Sequence, residues 1–164
     1  MQTLTHFNHN GRAAQVDVGV KPITLRWALA QGQIRARPSL INLIRNNRLA
    51  KGDALTIAKI AGISAAKQTG FLIPLCHPVN LDRVEIRFEI KRDRIIVLAE
   101  ASAQGKTGVE MEALSAVGAA CLTLYDMAKS ADKGIVIGPI YLLEKKGGRS
   151  GHYKRRGSNG ARGR

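Results

Sequence analysis

A chain of 164 residues with 45% apolar residues is the size of a single domain with a core of its own, and no stretch approaches the roughly 20 consecutive apolar residues of a membrane-spanning helix. Its two cysteines, Cys76 and Cys121, lie far apart and outside any Cys-x-x-Cys unit, which excludes a disulfide framework and a zinc signature and leaves both as small hydrophobes. The net charge of +14 points toward nucleic acid, but residues 145–164 hold eight basic residues and no acidic one; the other 18 basic and 12 acidic residues leave the body at only +6, which suits an anionic small molecule as well as a polymer.

Residues 1–13 are polar and read as a mobile N-terminal arm. They lack the basic-then-apolar layout of a secretory signal, so a cytoplasmic location is expected. Ala14-Gln15-Val16-Asp17-Val18 alternates and predicts a short strand, broken by Lys21-Pro22. Residues 23–35 predict a second strand, with Ile23, Leu25, Trp27 and Leu29 alternating against Thr24, Arg26 and Ala28. Arg26 would then point away from Trp27, and the pattern leaves open whether it is solvated or bound to something. Pro38-Ser39 opens a helical pattern (Leu40, Ile41, Leu43, Ile44) that ends near Asn46-Asn47. Lys51-Gly52-Asp53 reads as a turn, with Asp53 as N-cap of a helix over 54–69. The small residues of that helix, among them Ala58, Ala61 and Gly62, imply close packing against another element. Lys59 and Lys67 share its outer face, either as solvated lysines or as ligand contacts.

Phe71-Leu72-Ile73-Pro74-Leu75-Cys76-His77-Pro78 is apolar, yet its two prolines exclude regular structure. His77 in such a segment is either a satisfied structural histidine or one whose orientation is fixed for chemistry. Cys76 and His77 are adjacent, with no further Cys/His cluster, so no metal site is expected. Val84, Ile86, Phe88 and Ile90 alternate with Glu85, Arg87 and Glu89, a half-buried strand that turns at Lys91-Arg92-Asp93-Arg94 and returns over 95–101. Residues 102–108 read as a flexible loop. Within it, Gly105-Lys106-Thr107 resembles the end of a P-loop, but the required glycine five residues earlier is Glu100. A helix follows over 109–131, with a core stripe of Leu114, Val117, Cys121 and Leu124, closed by Gly134. The last β-rich segment, 135–145, is interrupted by Gly138-Pro139. The expected architecture is an α+β sandwich with helices on one face of an antiparallel sheet. One domain spans 14–150, and a basic, disordered tail occupies 151–164.

The helix over 109–131 carries the most chemistry. Glu110 and Glu112 lie in its first turn, where a helix N-terminus favours negative charge. Asp126 and Lys129 are three apart near its end and share a face. Lysines anchor phosphates, and a lysine beside a carboxylate can serve as a tuned proton donor or acceptor. Lys51, Lys67, His77, Glu112, Asp126 and Lys129 therefore suggest acid/base chemistry on an anionic ligand, without naming the ligand. The alternative is a basic nucleic-acid-binding protein, which the 4% aromatic content and the position of the basic cluster outside the body disfavour.

Several blocks occur together in one order: Leu4-Thr5-His6, Val16-Asp17-Val18, Lys51-Gly52-Asp53, Leu72-Ile73-Pro74-Leu75-Cys76-His77-Pro78, Gly105-Lys106-Thr107-Gly108-Val109-Glu110-Met111-Glu112-Ala113, Tyr125-Asp126-Met127 and Lys145-Lys146-Gly147-Gly148-Arg149-Ser150-Gly151. In this set the chain resembles the cyclic pyranopterin monophosphate synthase family, MoaC, over residues 3–153. The resemblance implies a ferredoxin-like α+β subunit in a homohexamer, a trimer of dimers; no cofactor and no metal-binding residues are expected. It implies conversion of 3',8-cyclo-7,8-dihydroguanosine 5'-triphosphate to cyclic pyranopterin monophosphate and pyrophosphate in molybdenum cofactor biosynthesis. The substrate would come from the GTP 3',8-cyclase, MoaA. The family's active-site aspartate falls on Asp126, with Lys51 and Lys129 as its catalytic companions. Substrate contacts fall on Leu75, Cys76, His77, Met111 and Glu112, and Arg26 and Lys67 join His77 in holding the triphosphate or the ring.

Overall fold

The computed structural model describes residues 12–156. The expectations for the first 11 residues of the arm, and for the tail from 157 onward, lie outside the described residues.

Alternation over Thr24–Arg35 produces strand β1, whose buried face is Arg26, Ala28, Ala30, Gly32 and Ile34. Helix α1 (Pro38–Arg45) starts on its proline, whose missing N–H is an orphan position anyway. Asn47, the residue after its Asn46 cap, takes φ 53°, the left-handed conformation that asparagine tolerates. Helix α2 (Ala54–Lys67) starts as expected from Asp53, whose carboxylate accepts from the Thr56 N–H at 3.0 Å. It stops at Gln68 instead of running through Thr69, and a separate turn, α3 (Thr69–Leu72), follows. The Thr69 hydroxyl donates back to the Ala65 carbonyl, a bond that competes with the helix ladder.

Strands β2 (Arg83–Ile90) and β3 (Arg94–Gly105) form the expected hairpin. The return strand is longer than its apolar run suggested: residues 102–105, read as flexible loop, pair with Thr24–Trp27 of β1. Ala101 and Ala103 of β3 are fully buried, so the strand persists where small residues meet the helix layer. Helix α4 (Glu110–Ala128) is the long helix. Beyond it, β4 (Val136–Ile137) and β5 (Tyr141–Lys146) flank the Gly138–Pro139 bond, which is cis. Gly134 lies beyond the helix end with no left-handed φ; the last turns close through Lys129 N–H on Tyr125 O and Asp132 N–H on Ala128 O.

The sheet runs β2-β3-β1-β5, continues to a short β6 (Tyr153–Lys154), and is antiparallel throughout; β4 pairs with the far end of β1. Taking the four long strands with α2 and α4, the order is β-α-β-β-α-β, the ferredoxin-like pattern. One further expectation needs correction. Residues 14–18 form no strand, although Ala14, Val16 and Val18 keep the inward side of their alternation. Lys21-Pro22 follow too closely for the segment to join the ladder. Within the expected tail, Tyr153 pairs with Lys145 and Lys154 with Glu144.

Helices α1, α2 and α4 contribute to the main core, on one face of the sheet: Ile41 and Ile44 of α1, Ala58 and Ala66 of α2, and Ala113, Ala116, Val117, Ala120, Cys121 and Leu124 of α4 are buried there with Ala28, Ile34, Ile86, Val97 and Ala99. Leu114, expected in the stripe, is only half-buried. Alanines let α2 and α4 approach closely. A Cβ on Gly62 would stand 2.3 Å from Ile86 Cδ1 and 2.8 Å from the Ala116 carbonyl oxygen, so that crossing point needs glycine. A smaller cluster, Leu29, Leu98 and Leu143 with Trp27 and Tyr141 around it, occupies the other face of the sheet. In β5 the register slips between Leu29 and Ala30 of its partner, which leaves Leu143 as a bulge.

Candidate active site

The two ends of α4 carry two different sets of charges. At its C-terminal end, Asp126 Oδ1 meets Lys129 Nζ at 2.7 Å and Asp126 Oδ2 meets Lys51 Nζ at 2.9 Å. Lys51 also donates to the Asp126 carbonyl oxygen at 2.9 Å. Two ammonium groups thus sit where the helix dipole favours cations. The local reason is the turn before α2: Gly52, at φ +90°, lets the chain reverse while Asp53 caps the next helix, and Lys51 is left facing the end of α4. Hydrogen bonds from Lys129 and then Lys51 lower the Asp126 carboxyl to about 2. The same bond raises Lys129 above the usual lysine range. The cluster is solvent-exposed, with about half of each side chain accessible.

At the N-terminal end of α4 lies a cleft of about 310 Å³, lined by Leu75, Cys76, His77, Met111 and Glu112, with Val16, Val18 and Lys21 across from them. Burial makes Glu112 unusual. It is 3% exposed, and desolvation, aided by the neighbouring Glu110 charge, raises its carboxyl to about 7. Burial, then the Glu112 charge, likewise raises the Cys76 thiol. The two-proline segment is held in place without regular structure. Cys76 N–H bonds the Ile73 carbonyl at 3.0 Å, and the Cys76 carbonyl accepts from the Gln15 amide at 3.0 Å.

A second cleft, of about 860 Å³, adjoins the first and shares Lys21, Thr107, Gly108 and Glu110 with it. Its lining gathers five cations: Lys21, Arg26, Lys106, Lys145 and Arg149. Arg26 is not a solvated strand residue. It is 9% exposed, donates from Nε to the Gly105 carbonyl at 3.1 Å, and is wrapped by Gly147 and Gly148. Both glycines have positive φ, and a Cβ on Gly148 would fall 1.8 Å from Arg26 Nη1. Thr24, also in the lining, has a buried hydroxyl that finds no hydrogen-bond partner among the described residues.

Ten residues were candidates from sequence. Lys51, Asp126 and Lys129 come together. Leu75, Cys76, His77, Met111 and Glu112 come together. Arg26 joins the adjoining cleft, while Lys67 is exposed at the end of α2 and lines neither cleft. The first two sets are not near each other within one chain. From Glu112 to Asp126 is 14 residues of helix, about 21 Å at 1.5 Å per residue. Lys21, Lys106, Lys145 and Arg149 were missed. Lys21 read as part of a strand-breaking pair, Lys106 as part of a failed P-loop, and the other two as part of the basic run over 145–164. The available signal was the Gly147-Gly148 pair, which marks a close approach.

Among the described residues, no group of three or more His, Cys, Asp or Glu side chains gathers as a metal site, and no helix is long and apolar enough to cross a membrane. Fold and clefts together give the class: a small basic α+β enzyme with a buried carboxylic acid beside a cation-lined cleft. The MoaC family model matches residues 15–148, and the chain belongs to the MoaC family. A protein of Novosphingobium aromaticivorans named cyclic pyranopterin monophosphate synthase is 54% identical over 154 residues, covering 94% of this chain and 98% of that relative. One of the same name from Geobacillus kaustophilus is 46% identical over 160 residues, covering 95% and 99%. A third, cyclic pyranopterin monophosphate synthase 1 of Mycobacterium bovis, is 50% identical over 157 residues, covering 95% and 92%. The nucleic-acid-binding alternative gains no support from the family match or from these relatives.

Proposed function

We propose that this chain is a cyclic pyranopterin monophosphate synthase, a phosphorus–oxygen lyase of molybdenum cofactor biosynthesis. It converts 3',8-cyclo-7,8-dihydroguanosine 5'-triphosphate to cyclic pyranopterin monophosphate and pyrophosphate. The carrying observation is the pairing of the buried Glu112, raised to about 7, with a cleft of five cations next to it. A triphosphate needs the cations, and rearrangement of the ring system needs a group that exchanges protons near neutral pH.

In this reading the cationic cleft, Arg26 included, holds the triphosphate. Leu75, Cys76, His77, Met111 and Glu112 hold the ring system, and Lys67, which lines neither cleft of its own chain, has no contact to make with a substrate there. Asp126 keeps Lys129 protonated, so Lys129 starts as a proton donor; it becomes a base only after giving up that proton to the substrate. Lys51 shares the same carboxylate and is the second proton carrier.

The separation of about 21 Å between the two sets along α4 is too long for both to touch one substrate from a single chain. We therefore place the working site between subunits, with Lys51, Asp126 and Lys129 of one facing the clefts of another. Exposed apolar side chains support assembly: Phe71 is 88% exposed, Leu122 63% and Ile60 56%. A homohexamer built as a trimer of dimers, in the cytoplasm and supplied by the GTP 3',8-cyclase, completes the proposal.

The experiment is subunit complementation. Lys51→Ala and His77→Ala chains, each inactive alone, are co-refolded. With two-fold interfaces, half of the pairs are mixed and each mixed pair has one intact site, so about a quarter of wild-type turnover should return. No recovery in a verified mixed assembly would sink the shared site. Failure of the wild-type chain to turn over the cyclic nucleotide would sink the function.

A further inference from the structure

Residues 14–23 lie outside the sheet, turn over 18–21, and contribute to the walls of both clefts. Val16, Val18 and Lys21 wall the Glu112 cleft, and Val20, Lys21 and Pro22 wall the cationic one. Val20 is 96% exposed. The segment's other hydrogen bonds are internal: Gly19 N–H to Asp17 Oδ1, and Lys21 N–H to the Val18 carbonyl. Among the described residues, two side-chain bonds tie it to the body. The Gln15 amide donates to Cys76 O at 3.0 Å, and Lys106 Nζ donates to Gly19 O at 2.5 Å.

We propose that Lys106 is a positioning residue that couples filling of the cationic cleft to closure of residues 14–23 over the Glu112 cleft. An ammonium has three donors and no acceptor, and Gly19 O takes one of Lys106's. Two remain for phosphate oxygens in the cleft that Lys106 lines. An anion there fixes the ammonium from one side while the ammonium holds Gly19 from the other. Lys21, carried by the segment itself and lining both clefts, is drawn to the same anion. Arrival of the triphosphate then shuts the wall that faces Glu112, which excludes water from the buried carboxyl when a substrate is present. Lys106 touches no reacting atom in this scheme; it acts through the segment. The inference rests on the reading of the cationic cleft as a polyphosphate site.

The test follows backbone hydrogen exchange of residues 14–23 in the full-length protein, with and without saturating inorganic tripolyphosphate. In the wild type, tripolyphosphate should slow exchange there about tenfold. Lys106→Met should still bind tripolyphosphate, about 10–100-fold weaker for the loss of its charged donors, yet show no slowing at saturation. Lys106→Arg, which keeps the charge and the donors, should restore it. Equal slowing in the Met variant, or none in the wild type with tripolyphosphate bound, overturns the coupling. If the wild type slows as expected but does not turn over the cyclic nucleotide, the coupling stands and the proposed reaction falls. Normal turnover with no slowing removes the coupling alone.

Discussion

Lys51 Nζ and Asp126 Oδ2 lie 2.9 Å apart, although 75 residues separate them in sequence. Lys129 takes the other carboxylate oxygen, so one carboxylate governs two ammonium groups. We predict that Asp126→Asn, which keeps the shape and removes the charge, lowers turnover about 10²–10⁴-fold, the usual reach of an acid/base group. The unfolding midpoint should hardly move, because exposed ion pairs contribute little to stability. Lys129 should titrate lower in the variant, since its raised pKa comes from Asp126. Steady-state kinetics and lysine titration by NMR check both, and a near wild-type rate would remove Asp126 from the chemistry.

Glu112 makes stability depend on pH in a definite direction. Its carboxyl is raised in the folded protein from 4.5 to about 7, so between those values the folded state binds more protons than the unfolded one. Stability therefore falls as pH rises through that window and levels off above it. Glu112→Gln cannot ionise and escapes the loss, so its stability relative to wild type should improve by roughly 3 kcal/mol between about pH 4 and about pH 8. Denaturant melts at a series of pH values measure this. In the wild type, kcat/KM should show an inflection near pH 7 that the Gln variant lacks.

The α2–α4 crossing has no room for a methyl group. Gly62→Ala places a Cβ against Ile86 Cδ1 and the Ala116 carbonyl, and the backbone oxygen cannot step aside by a rotamer change. We expect a loss of about 1–3 kcal/mol, as for overpacked cores, read as a lower denaturant midpoint at unchanged slope. An unchanged midpoint would mean the helices separate at no cost.

Gly148 bears on binding as well as folding. At φ +73°, with Arg26 Nη1 where its Cβ would stand, Gly148→Ala must displace the guanidinium. We predict about tenfold weaker binding of tripolyphosphate, the worth of one charged hydrogen-bond donor, with α4 and the Asp126 cluster undisturbed. Calorimetry on the variant and on Arg26→Ala should give similar losses; a large loss in Arg26→Ala alone would show that the glycine leaves the arginine in place.

Much of the fold was legible because its signals are local. Pro38, Asp53 and the two prolines around Leu75-Cys76-His77 act on their own backbone, and the alternation of Val84, Ile86 and Phe88 states which face is buried. What was missed depends on partners distant in sequence. Residues 102–105 look like a loop by composition and become strand because β1 pairs with them. Residues 14–18 alternate like a strand and have no ladder to join. Arg26 was undecided because its burial is made by Gly147 and Gly148, some 120 residues later. Asp126 with Lys129 could be read from helical spacing, but the third member, Lys51, arrives by tertiary packing. The cationic cleft was legible only in pieces, as each cation had a blander local reading.

The bulge at Leu143 is a phase shift in the side-chain alternation of β5. Tyr141 lies opposite Gln31 and Leu142 opposite Ala30, but after the extra residue Glu144 lies opposite Leu29 and Lys145 opposite Ala28. Strict alternation from Tyr141 would have turned Lys145 to the outer face and Lys146 inward. The inserted residue exchanges the two neighbouring lysines. Lys145 faces the cationic cleft and Glu110, at 3.9 Å, and Lys146 is sent to the ring of Trp27, 5.0 Å from its centroid. Closing this bulge with every residue kept would leave the composition unchanged and exchange the two lysines between the faces, taking Lys145 out of the cleft without changing any charge in the protein.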